Sequence, residues 1–167
     1  MRAAELDELA WQQEFGRDHD RAGLVCEANV FRYRPLLSPL QVRISEDAQL
    51  RDVARLTLAA TRTNSPVRFS ATPEKAAELR ELGFGVDGVA LEAFLREVSS
   101  LESGRVRTVG SVEAGVFEAA VQSNSVVLDQ PVLADGRREL LPFLLEQAVS
   151  VTMHRFGIIR SVGSIRA

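Results

Sequence analysis

The residues from Gly83 to Gly88, GFGVDG, reproduce the G-x-G-x-x-G spacing with which glycine-rich turns bring backbone amides to a pyrophosphate. That chemistry needs the order strand, turn, helix, so that amides at a helix N-terminus face the phosphate. Here the order is reversed. AAELREL precedes Gly83 with helical spacing, so Gly83 reads as a helix C-cap and Phe84 to Gly88 as the strand that follows it. The chain contains no G-K-[ST] string, so a P-loop is absent as well.

The other reactive side chains stand apart from one another. Cys26 is the one cysteine, and its neighbours Val25, Glu27 and Ala28 supply neither a base nor a positive field, so it reads as a small packed side chain. One thiol cannot form an intramolecular disulfide or a structural zinc set, which points to a reducing, cytoplasmic setting. His19 sits between two aspartates in GRDHDR, where a solvated loop histidine is the simplest reading. His154 precedes Arg155 and has no second histidine at metal-ligating spacing, so no metal site is expected. Acidic pairs such as Glu78 with Glu81, or Asp129 with Asp135, show no sign of shared protons. No nucleophile, base and oxyanion donor can be named together, so no catalytic residue and no cofactor-binding residue is assigned to this chain.

The elements that would position any such group follow from the apolar pattern. With 167 residues, 46% of them hydrophobic, the chain can bury one core. Its formal net charge of −3, from 20 basic and 23 acidic residues, leaves no basic field for a nucleic-acid backbone. Neither a signal peptide nor a run long enough to span a bilayer is visible. Leu6, Leu9, Ala10, Trp11 and Phe15 recur at helical spacing, Gly16 to Gly23 suits a connection, and Leu24 to Arg34 has strand chemistry. In that strand Phe31 and Tyr33 share one face, and Val30, Arg32 and Arg34 share the other.

From Gln41 onward the runs QVRIS, PVRFS, FGVDG, RVRTVG and SVVLD alternate with the helical stretches LRDVARLTLAATR, PEKAAELREL, ALEAFLREVS and VEAGVFEAAVQ. Thr72 is an expected N-cap, with Pro73 in the first turn of its helix. Repeated βα units predict a Rossmann-like, doubly wound α/β fold with a mainly parallel sheet of about five strands. A long C-terminal helix is expected over 137–156, carrying Leu140, Leu141, Leu144, Leu145, Ala148, Thr152 and Phe156 as one stripe and ending at Gly157. The domain would then cover 1–157, with a loosely held tail over 158–167.

Glu27 to Leu36, EANVFRYRPL, and Asp129 to Gly157, DQPVLADGRRELLPFLLEQAVSVTMHRFG, carry a resemblance. Together with QVRIS, PVRFS and RVRTVG they resemble the C-terminal aldehyde-dehydrogenase-like domain of long actinobacterial proline utilization A proteins and related L-glutamate γ-semialdehyde (pyrroline-5-carboxylate) dehydrogenases. The resemblance implies a non-catalytic domain that covers the cavity channelling the intermediate and aids oligomer contacts. It further implies that NAD and FAD belong to the parent enzyme and no cofactor to this chain. The implied partners are the catalytic aldehyde dehydrogenase and proline dehydrogenase domains, in a homo-oligomer. Cys26 lies just before NVFRYRP, outside any cysteine-loop motif, and cannot stand for the family's nucleophile. On this reading Phe31 and Tyr33 anchor an apolar contact, Arg32 and Arg34 hold carboxylates or carbonyls of a neighbour, and His154, Arg155 and Phe156 form a second contact. Two rivals stay open: a free NAD-binding Rossmann-like protein using the carboxyl ends of its strands, and a stand-alone semialdehyde dehydrogenase dependent on Cys26.

Overall fold

A computed structural model describes residues 2–155 and 158–159. Helix α1 (Arg2–Ala10) continues as a π-helical turn (Trp11–Phe15) and leads to the long strand β1 (Glu27–Pro35). Alternation then sets in with β2 (Leu40–Ile44), α2 (Leu50–Thr63), β3 (Val67–Ala71), α3 (Pro73–Glu81), β4 (Asp87–Gly88), α4 (Leu91–Ser99), β5 (Arg105–Val109), α5 (Val116–Gln122) and β6 (Val126–Leu128). Strands β2 to β6 form a five-stranded sheet in the order β4-β3-β2-β5-β6, parallel throughout. This is the expected doubly wound α/β arrangement, Rossmann-like in its strand order.

The two faces of the sheet are covered by different helices, as period-two alternation requires. Leu40, Val42 and Ile44 are sealed in one core with Val53, Leu56 and Ala59 of α2 and Ala76 and Leu79 of α3. Val106 belongs to the other core, with Phe94 and Val98 of α4 and Val116, Ala119 and Ala120 of α5. Arg43 points to that second face, where its guanidinium lies 5.0 Å from the Phe94 ring centroid and donates from Nε to Glu113 Oε2 at 2.5 Å. Thr72 caps α3 as expected, its Oγ1 accepting from the Lys75 amide at 3.3 Å. Gly83 (φ +90°) ends that helix, with Gly83 N–H donating to Arg80 O and Phe84 N–H to Leu79 O, both at 3.0 Å. The GFGVDG string is thus a helix stop leading into a strand.

Three expectations are corrected. The long helix predicted over 137–156 is replaced by a short α6 (Gly136–Leu140), a 3-10 turn (Leu141–Phe143) and the strand β7 (Leu144–Thr152). β7 pairs antiparallel with β1 along nine residues, from Glu27 opposite Thr152 to Pro35 opposite Leu144. The leucine stripe fitted a helix, but Leu145, Val149 and Val151 also fit a strand, and β-branched residues with a waiting partner strand decide such a run. His154 therefore sits on a two-residue strand β8 (His154–Arg155), paired with β9 (Ile158–Ile159), rather than at a helix end. Those isoleucines open the tail expected to be loosely held; Phe156, Gly157 and residues 160–167 lie outside the described residues.

The third correction concerns α1, where the stripe of Leu6, Leu9 and Ala10 expected to be buried is partly displaced by a carboxylate. Asp7 is 1% exposed while Leu9 stays 48% exposed. Arg55 of α2 grips Asp7 with two bonds, Nη1 to Oδ2 at 2.9 Å and Nη2 to Oδ1 at 2.6 Å, and gives its Nε to Leu133 O at 2.9 Å. Burial pushes the Asp7 carboxyl up from its ordinary value, against the pull of Arg55. Gly136 lets α6 lie directly on this helix, since a Cβ there would fall 2.9 Å from Asp7 Cα. Asp7→Ala strands the Arg55 charge, so urea denaturation should show a loss of about 3–5 kcal/mol, while the pair Asp7→Leu with Arg55→Met regains most of it.

Candidate functional site

Open α/β sheets take ligands where strand order reverses, beyond the carboxyl ends of the strands. Here that point lies between β2, which leads to β3, and β5, which leads to β6. The connection leaving β2 is Ser45 to Gln49, SEDAQ, with two acids and no glycine. The connection leaving β5 begins with Gly110, at φ +86°. A Cβ on Gly110 would overlap the Ser45 hydroxyl and lie 2.6 Å from Asp47 Oδ1, so the two loops meet there only because the side chain is missing.

Asp47 fills the crevice thus formed. Its Oδ1 accepts from Ser45 Oγ at 2.5 Å, from the Ser111 amide at 2.9 Å and from Ser111 Oγ at 3.0 Å. These donors, with Ser45 foremost, pull the Asp47 carboxyl down to about 2. Glu46 stands beside it, accepting from the Thr72 hydroxyl at the end of β3. A dinucleotide's diphosphate brought to this point would meet two carboxylates and an amide already taken. The residues at the reversal point therefore do not fit such a group. Past Gly110 a cleft of about 570 Å³ continues over the ends of β5 and β6, with Arg51, Asp52, Thr108 and Asp129 on its walls.

Four of the residues expected to make contacts, Phe31, Arg32, Tyr33 and Arg34, lie on a second feature, the two-stranded ribbon of β1 and β7. Its inner end is bolted to the body: Phe15 of the π turn meets Tyr33 edge-on at 4.8 Å between ring centroids, and Phe31 meets Tyr33 at 5.2 Å. Burial, followed by the Glu14 carboxylate, raises the Tyr33 hydroxyl above its ordinary value. The outer edge of β1 is bridged once, where His19 and Phe31 exchange backbone hydrogen bonds of 2.8 Å. His19 also lies 2.9 Å from Glu14 O through Nε2. No strand among the described residues pairs with the outer edge of β7.

Arg32 is turned inward and is 6% exposed, its Nε donating to Gln147 Oε1 across the ribbon at 2.7 Å. Arg34 is half-buried, as are Phe31 and Tyr33, whereas His154 is exposed at the far end on β8. Phe31, Arg32, Tyr33 and Arg34 are thus brought together, and His154 and Arg155 follow the end of β7 rather than joining them. Cys26, expected to pack as a small side chain, is instead exposed just before β1, where its carbonyl accepts from the Met153 amide at 2.8 Å. No group of three His, Cys, Asp or Glu side chains among the described residues could hold a metal ion. No helix among them is long and apolar enough to cross a membrane. Reading the sequence missed Asp47, Ser45 and Ser111, for which the signal was an acid in the first βα connection where a nucleotide site would carry glycine. It also missed Gln147 and Ser150, the ribbon partners of Arg32 and Asn29, because they were assigned to a helix.

The parallel sheet, its strand order and the helices on both faces define a Rossmann-like α/β domain carrying an antiparallel ribbon. Among solved structures, proline utilization A from Corynebacterium freiburgense is similar to 95% of this chain, at 42% identity and a TM-score of 0.71. The chain is a domain related in sequence and fold to a segment of that proline utilization A, and it spans 14% of that protein's length. No family model matches it, and the curated proteins contain no match.

The Asp47 contacts have a signed pH dependence. A carboxyl held down to about 2 in the folded chain, against 3.8 otherwise, stabilises the fold above the higher value and loses that effect as pH falls toward the lower one. Thermal melts of the parent and Asp47→Ala should differ at pH 6 and converge between about pH 4 and pH 2. Gly110→Ala should be destabilised at every pH, because its clash is steric.

Proposed function

We propose that this chain is a non-catalytic assembly domain of a larger proline-catabolic oxidoreductase. In that enzyme it covers the substrate cavity of an NAD-dependent L-glutamate γ-semialdehyde dehydrogenase and contributes to oligomer contacts in the cytoplasm. The observation that carries this reading is the ribbon. A two-stranded antiparallel ribbon is marginal on its own in water, and an open strand edge is a template for pairing with another chain. Nature blunts such edges with charge or proline, yet beyond Glu146 β7 presents Ala148, Val149, Ser150, Val151 and Thr152 in a row with neither. The relationship to proline utilization A supplies the setting. NAD, FAD, the cysteine nucleophile and the proline dehydrogenase chemistry then belong to the partner domains, and this chain's residues serve to hold the ribbon out and seal against them.

Hydrogen exchange tests this directly. In the isolated chain the outward amides of β7 should exchange fast. Mixed with the catalytic dehydrogenase part of the same enzyme, they should become protected while the amides of β2 and β5 stay unchanged. The isolated chain should not oxidise the semialdehyde with NAD, and Cys26→Ala should change nothing. Turnover by the chain alone, abolished in Cys26→Ala, would overturn the reading.

The cleft over β5 and β6 favours a second reading, a free NAD-binding protein. NAD titrated to millimolar concentration while Trp11 fluorescence and melting temperature are followed separates the two. A bound dinucleotide must raise the melting temperature by mass action, and the assembly reading expects no shift.

A further inference from the structure

In a parallel sheet both faces are covered, normally by the helices of the crossovers. Strand β6 breaks this rule on one side. Its register places Val126 beside Arg105 and Leu128 beside Arg107, so these four side chains lie on one face of the sheet. On the other face Val127 packs against the α4 and α5 core. A covering element for the first face would have to come from the chain after β6. That chain forms only the five residues of α6 and a 3-10 turn before leaving in the ribbon.

What remains is a trough of about 650 Å³, floored by Val126 and Leu128 and walled by Leu133, Leu141 and Pro142. Val126 is 57% exposed and Leu141 40%. A second hollow of about 320 Å³ shares Arg105 and Val126 with it and runs on to Leu37, which is 90% exposed. Two guanidinium groups border the trough. Arg105 spends one nitrogen on Pro142 O (2.8 Å) and Leu144 O (2.9 Å), and the Arg138 side chain reaches no acceptor among the described residues. Neither has an ion-pair partner among the described residues, whereas Glu139, the acid on the same wall, is committed to Arg107 and the Leu133 amide.

We propose that this trough is the docking site for an amphipathic helix supplied by a partner chain, with leucine-like side chains on its buried stripe and a carboxylate that meets Arg138. A helix is the element that covers a parallel strand's side-chain face. A carboxylate is the complement of two unpaired arginines over an apolar floor. The site is separate from the ribbon edge, so a chain whose ribbon fails to dock would still take a helix here.

The probe is a labelled helical peptide of roughly four turns with leucine at i, i+3, i+4 and i+7 and glutamate flanking that stripe. Its fluorescence anisotropy should rise saturably on titration with the full chain. Val126→Asp should weaken binding by about tenfold or more, since it puts a charge on the floor of the apolar contact. Arg138→Glu should prefer a peptide with lysine in place of glutamate, reversing the parent's choice, and it keeps the test intact if Val126→Asp fails to fold. Val151→Asp, on the ribbon, should leave binding unchanged, which separates this site from the assembly reading. Absence of saturable binding, or indifference to both trough variants, would overturn the proposal. Sedimentation showing a dimer of the parent chain that Val126→Asp makes monomeric would overturn it too, by assigning the trough to a second copy.

Discussion

Charge taken out of water is the constraint from which the rest of this domain follows. Arg107 is fully buried on β5, next to the middle strand β2, and Arg55 is 7% exposed on α2. Each must find acceptors or the core does not close. Arg55 finds Asp7, which fixes α1 on α2. Arg107 finds Leu128 O at 3.1 Å, Gln130 O at 2.5 Å and Glu139, which fixes the chain after β6. Glu139 in turn accepts from the Leu133 amide at 2.6 Å, and Leu133 O accepts from Arg55. The terminal elements α1 and α6 are therefore joined to the βα body through one polar chain, and their orientation is set by hydrogen-bond geometry rather than by apolar contact alone.

That architecture explains what was legible in the sequence and what was not. The βα body was readable because each element carries its own period, its own stop and a short connection to the next. Gly83, Asn64 and Asn124 end helices at positive φ, and such stops are local. The buried face of α1 was not readable, because Asp7 looks polar by any local rule and becomes interior only through Arg55, 48 residues away. The residues from Leu144 to Thr152 were not readable for the same reason. Their leucines and valines satisfy two periods, and the deciding partner, β1, lies more than a hundred residues earlier in the chain.

The reversal point of the sheet shows the same dependence on distant groups. Ser45 and Asp47 leave β2, Gly110 and Ser111 leave β5, and only the parallel register of those strands makes them neighbours. In a nucleotide-binding sheet the amides at this point are left for phosphate. Here the Asp47 carboxylate takes the Ser111 amide and the Ser45 and Ser111 hydroxyls, so the ends of β2 and β5 are cross-linked. On the proposed assembly reading, a sheet end closed in this way leaves the working surfaces elsewhere, at the ribbon edge and the trough.

Both surfaces lie next to one segment, residues 144–152, which forms a strand where a helix, the kind of element that covers a parallel strand's face, was expected. Extended instead, the same segment gives β1 nine paired positions and leaves Val126 and Leu128 without a cover. Among the described residues the outer edge of β7 has no partner strand and the trough has no covering helix. A free-standing protein would be expected to close both surfaces, since exposed apolar area and unpaired edges promote aggregation. On the assembly reading proposed above, neighbours supply what is missing, one extending the ribbon and one laying a helix across the trough.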